Sequence, residues 1–223
     1  LVFHGLLWIG TRLRLSLFLM DKAHPLSPYV PKAAVQSLAE LLDKQPLRFI
    51  VSKERSSKLG DYRPPLGREK RHRITVNGSL NEMAFLITSL HEFAHFRHRL
   101  SDPKGADRPH GSQWKKHFRE VMQPFLVPEI FPEPLLSVLR KHMQNPRASS
   151  TSNAALSEAL MAFDPPPIAG WMLLKDLDDQ VVFETEKGRK FRKGTHLRSR
   201  ILCEDMENRR MYRVSPLIKV RPL

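Results

Sequence analysis

Apolar residues first fall into helical spacing at residues 31–44, "PKAAVQSLAELLDK", where Val35, Leu38, Leu41 and Leu42 share one side. This predicts an amphipathic helix that Pro46 ends. "LRFIVS" (47–52) and "HRITVN" (72–77) read as strands, the second alternating Ile74 and Val76 before Asn77-Gly78 breaks it. Residues 53–71, rich in Lys, Arg, Gly and Pro, read as a loop between them. From Leu80 to about Leu100, Met83, Ile87, Leu90 and Ala94 form an apolar stripe that Leu86 and Phe93 widen, which predicts a mostly buried helix. Ser79 and Glu82 have capping-box spacing at its start. The loop "SDPKGADRP" then reverses the chain into a further helix, "GSQWKKHFREVMQPFL", whose packing face is Trp114, Phe118 and Val121.

Past residue 145 the pattern changes. "NPRASSTSNAALSEALMAFDPPP" is rich in Ser, Ala and Pro and reads as a linker over 146–167, with a short helix at Ala154 to Ala162. Residues 168–223 read as short strands with turns at Lys187-Gly188 and Glu207-Asn208, a small β module of ribbon or SH3-like type. At the other end, "LVFHGLLWIGTRLRLSLFLM" is apolar, but Arg12 and Arg14 cut it into runs too short to cross a bilayer. Because the first methionine is Met20, residues 1–19 are expected to be a non-native extension, upstream sequence read in frame.

Charge narrows the partners. Lys and Arg number 37 against 23 Asp and Glu, a formal +14, which favours a polyanion and nucleic acid before membrane. The surplus is local in two places: eight Lys or Arg against three acids between Lys53 and Arg73, and Lys187, Arg189, Lys190, Arg192, Lys193, Arg198 and Arg200 in the β module. With Phe191 among the second group for base stacking, that group is the candidate single-stranded nucleic-acid surface. Cys203 is the one cysteine, so neither an intrachain disulfide nor a cysteine zinc knuckle can form, which fits a reducing cytoplasm, at the nucleoid in a bacterium.

The buried helix carries "HEFAHFRH" at 91–98. At 100° per residue His91, His95 and His98 border the apolar stripe, where imidazoles need partners. Two imidazoles four residues apart on one face can reach one divalent cation, and Glu92 can then address a water on it. A catalytic zinc takes three protein ligands and keeps one position open. His98, two turns from His91 on the same straight helix, cannot converge with both others and is expected to be a neighbour. His110, at the mouth of the next helix, is the leading third ligand, with His117 and Glu120 as competitors.

"HEFAH", followed after fourteen residues by His110 in "RPHGSQWK" and preceded by "LGDYRPP" and "HRITVN", resembles the SprT-like zinc metallopeptidases, which include the eukaryotic Spartan protease. The resemblance spans about residues 32 to 144. It implies one zinc ion on His91, His95 and His110, Glu92 as catalytic acid/base, and a zincin-like α+β domain at 20–145, its helices packed on a small antiparallel sheet. It also implies, for the Spartan branch, cleavage of proteins crosslinked to DNA. The C-terminal part departs from the family's usual plan, which often includes a zinc ribbon of four cysteines, since Cys203 stands alone here.

The function expected is therefore a DNA-associated zinc endopeptidase of loose sequence specificity. Its substrate would lie extended against the edge of "HRITVN". Tyr62, in the loop before that strand, is either a packed aromatic or an oxyanion donor. The alternative function is a basic nucleic-acid-binding adaptor whose metal site is only structural.

Overall fold

The strand expected at 72–77 forms, and it is the middle of a sheet. The computed structural model describes residues 24–55, 58–105, 107–147, 153–166 and 168–223, so the extension expected at 1–19 lies outside the described residues. The fold is α+β, and the chain divides into two units, 1–131 and 132–223. The change of pattern along the chain places that boundary later, after residue 145.

In the first unit, a helix α1 (Val35–Asp43) precedes the strands β1 (Leu47–Ser52), β2 (Gly60–Arg63) and β3 (His72–Asn77). Of the side its spacing predicts, Leu38 and Leu42 are buried, joined by Ala39, while Val35 and Leu41 are half-buried. The sheet order is β1-β3-β2, with β1 and β3 parallel and β2 and β3 antiparallel. The sheet is therefore mixed, where an antiparallel one was expected. The reason is β2: "GDYR" lies inside the stretch read as a loop, turns back along β3 and takes its second edge. Four residues with two charges are too short and too polar to show alternation. With both edges of β3 paired, Ile74 and Val76 are wholly buried, and "HRITVN" has no edge left to receive a peptide.

Helix α2 (Glu82–Ser101) lies along β2 and β3 and packs against α3 (Ser112–Met122). All six residues of the expected stripe are buried, and so are Phe85 and Phe96, together with the polar Thr88, Ser89 and Glu92, so α2 is buried on most of its sides. Tyr29 stacks on Phe85 with ring centroids 5.2 Å apart. The capping box does not form. Asn81 is the N-cap, in extended conformation, and its side chain accepts the Ala84 N–H at 2.9 Å. An amide oxygen directly before the first helical residue reaches the exposed N–H groups, which leaves Ser79 two residues too early.

The second unit holds α4 (Leu135–Gln144), α5 (Ala154–Met161) and a six-stranded antiparallel sheet. Its strands are β4 (Met172–Leu173), β5 (Val182–Thr185), β6 (Lys190–His196), β7 (Ile201–Asp205), β8 (Met211–Val214) and β9 (Lys219–Pro222), in the order β4-β9-β5-β6-β7-β8. Four consecutive strands form a meander and β9 returns to β5. Leu174, Phe183, Phe191, Ile201, Cys203 and Val220 make its core. The expected turns are present, Gly188 taking the left-handed backbone (φ +77) that its hairpin needs. No helix among the described residues is long and apolar enough to cross a membrane.

A candidate metal centre

The third and fourth turns of α2 present His91 and His95 on one side, and the loop after α2 brings His110 back to them. His95 Nε2 lies 3.2 Å from His91 Nε2 and 2.9 Å from His110 Nε2, and the remaining pair is 3.3 Å apart. A ring nitrogen either carries a proton or offers a lone pair, so in a triangle of three at least one pair must be alike. Hydrogen bonding among themselves cannot satisfy the set. One cation at the centre can. Ligands at 2.0–2.1 Å around a tetrahedral zinc stand roughly 3.3 Å from one another, which these separations approach.

The surroundings of His95 and His110 favour the neutral ring, as ligation requires. Burial pushes His95 down to about 3, with the neighbouring His110 and His98 adding to it. Burial, and then His98, lower His110 as well. Trp114 of α3 covers all three, its ring centroid 4.7 Å from that of His91, 5.3 Å from His95 and 4.6 Å from His110. Phe118 closes on His91 from the next turn at 5.5 Å.

His110 is held by an unusual backbone. Its φ of 60° is left-handed, a conformation that costs a non-glycine residue on the order of 1–3 kcal/mol and gathers at functional sites. The Gly111 N–H donates to the Arg108 carbonyl at 3.0 Å, closing the turn, and a Cβ on Gly111 would stand 2.9 Å from that same oxygen. The His-Gly pair is thus set by the turn.

Glu92 points away from solvent, 7% exposed, toward β2. Burial raises its carboxyl to about 7 and the charge of Asp61 adds to this, while the Tyr62 backbone N–H, donating to it, works the other way. Asp61 bonds Arg55, and Arg63 Nε donates to it at 2.8 Å. Burial alone would raise Asp61, but these two guanidinium groups outweigh it and hold its pKa low. Gly60, Asp61 and Tyr62 therefore form a lid over Glu92, and a strand hidden in an apparent loop contributes it. "LGDYRPP" was the available signal, as a motif and not as a pattern.

The other sequence candidates lie elsewhere. His117 Nε2 meets Ser101 Oγ at 3.0 Å, and Glu120 sits 3.5 Å from Arg97, so neither joins the triad. His98 belongs to a different group, with Asp102 and Asp107. The Tyr62 hydroxyl is engaged with His72 Nδ1 at 2.7 Å, and the two rings stack, a packing role.

The seven basic residues of the β module do not make one patch. Strand alternation turns Phe191 and Lys193 to the inner face. Phe191 is 5% exposed and stacks on Phe183, so it cannot stack on a base. Lys193 is 3% exposed and its ammonium donates to the Leu177 carbonyl. Arg189 bonds Asp205 and lies over the rings of Phe191 and Tyr212, each 4.8 Å away. Arg192 lies 3.5 Å from Glu204. Lys187 and Lys190 are exposed at one end of β6, and Arg198 and Arg200 at the other. Phe191 pairs with Asp205, so the β7–β8 turn adds exposed Arg209 and Arg210 to the Lys187 end. Sequence reasoning missed these two because about twenty residues separate them from Lys190.

No protein-family model matches the chain, and neither curated proteins nor solved structures give a significant match.

Proposed function

We propose that the chain is a zinc-dependent endopeptidase of the SprT-like kind, acting on DNA-bound or DNA-crosslinked proteins with loose sequence preference. The observation that carries this is the convergence of the His91, His95 and His110 Nε2 atoms, next in sequence to a buried glutamate. Three nitrogens in a small, shielded set favour zinc over manganese or magnesium.

The chemistry supplied by a bound zinc is that of a Lewis acid, an acidified water and a polarised peptide carbonyl. Glu92 accepts a proton at its carboxylate and delivers it to the leaving amine. The Tyr62 N–H holds that carboxylate in place, and the Arg55–Asp61–Arg63 group fixes the strand that carries it. Trp114 and Phe118 keep water from the rear of the imidazoles. An extended substrate pairs with the outer edge of β2, which has β3 on its inner side. Backbone pairing reads little sequence.

The DNA part of this reading draws on the +14 net charge and on Lys187, Lys190, Arg209 and Arg210, exposed together at one end of the β sheet. The return of β9 to β5 after a four-strand meander supports an SH3-like reading of that sheet.

The test compares wild type with Glu92→Gln on a protein substrate and in self-cleavage, with and without single-stranded DNA, and after chelation. Cleavage is expected to fall by on the order of 10²–10⁴ in the variant while zinc stays bound. Equal cleavage by both proteins would sink the reading. Zinc binding and tight DNA binding with no cleavage by either would mark an adaptor with a structural metal.

A further inference from the structure

Among the described residues one other group could hold a metal: His98, Asp102 and Asp107, each offering a ligand atom within 4.8 Å of the other two. His98 follows His95 by three residues on α2, and its Nε2 stands toward Asp107 of the loop after the helix. It is 8% exposed, and its buried Nε2 has no hydrogen-bond partner. The nearest carboxylate oxygen, Asp107 Oδ2, stands 3.6 Å away, beyond hydrogen-bond distance. Buried ring nitrogens are seldom left so. Asp102 Oδ2 accepts the Asp107 N–H at 2.8 Å, and the Gly105 N–H donates to the Asp102 carbonyl at 3.1 Å, so the loop is folded to bring both carboxylates to the end of the helix.

We infer that His98, Asp102 and Asp107 form a second divalent-cation site, distinct from the triad. One imidazole with two carboxylates suits zinc or manganese. Calcium and magnesium take oxygen ligands, so the imidazole argues against them. The site joins the last turn of α2 to the loop that delivers His110 three residues later. An ion there cross-links the two and is structural, because Glu92 lies on another side of α2, against β2. The inference does not depend on peptidase activity.

The experiment measures bound zinc per chain by equilibrium dialysis and elemental analysis, on the untagged full chain at micromolar free zinc. Wild type, Asp107→Asn and His91→Asn/His95→Asn are compared. Asp107 is half exposed, so its variant is expected to fold; Asp102→Asn, which keeps an acceptor for the Asp107 N–H, is the second variant, and circular dichroism checks both. The expected result is that each aspartate variant loses one equivalent relative to wild type, and that the His91/His95 variant loses a different one. An unchanged equivalent in both aspartate variants overturns the second site whatever the triad does. Loss in the aspartate variants alone supports the second site while removing the reading of the triad.

Discussion

Gly60 of β2 lies against Glu92 of α2 so closely that a Cβ on it would stand 2.9 Å from Glu92 Cγ and 3.1 Å from Oε1. The same atom would meet Thr88 Cγ2 at 2.7 Å. Glu92 is therefore held by a strand that leaves it no slack. Gly60→Ala is expected to cost about 1–3 kcal/mol by overpacking. It should also slow protein cleavage while zinc content is kept, because the contact falls on the glutamate and not on the imidazoles. Urea denaturation and a cleavage assay check the two halves separately.

Gly111→Ala should act on the metal instead. The new Cβ meets the Arg108 carbonyl oxygen at 2.9 Å, a backbone atom that cannot swing aside, and the shift passes to the neighbouring His110. A loss of about 1.4 kcal/mol in ligand placement is about tenfold in zinc affinity. Competition with a chromophoric chelator measures it, and an affinity equal to wild type would show that the turn does not govern the third ligand.

In the second unit acid should loosen the α4–α5 pair. His142 is buried, and its Nδ1 accepts the Asn153 side-chain N–H at 3.1 Å, while Asn153 Oδ1 caps α5. Burial, and then the charge of Arg147, lower its pKa. The unfolded chain, with a histidine pKa of about 6.5, then binds the proton more readily than the folded one. Stability from this residue is thus fully present above about pH 6.5 and is lost as pH falls below it, by up to roughly 1.4 kcal/mol per pH unit. Thermal melts from about pH 7.5 to about 5.5, spanning that value, should show a steeper fall for wild type than for His142→Gln. Identical slopes would remove this residue from the acid response.

The basic residues of the β sheet should separate into two kinds. Changing Lys187, Lys190, Arg209 and Arg210 to Ser is expected to weaken single-stranded DNA binding. The slope of log affinity against log salt should flatten by about 0.7 for each phosphate that is no longer neutralised. Lys193→Met should leave that affinity alone and cost about 1–3 kcal/mol, since it strands the buried Leu177 carbonyl. If Lys193→Met weakens binding as much as the fourfold change, the partition by exposure is wrong.

Much of this was legible in the chain. Three-turn apolar spacing announced α2, alternation announced β3, and the His-Glu-x-x-His spacing put His91, His95 and Glu92 where the folded chain has them. Those features are local: a helix places residues four apart on one face whatever surrounds it. The N-cap was local too, but the Ser79–Glu82 spacing pointed to Ser79, and the backbone angles put the cap two residues later at Asn81.

What only the tertiary structure decided is long-range. His110, which the sequence already put ahead of His117 and Glu120, reaches His91 and His95 through a turn with a left-handed histidine; the mixed sheet rests on a four-residue strand pairing across a loop, and the inward face of Lys193 on strand register. Each depends on contacts between segments far apart in sequence, and neither spacing nor composition encodes those. Sequence thus determined which side chains share a helix face; the fold determined which of them meet anything else.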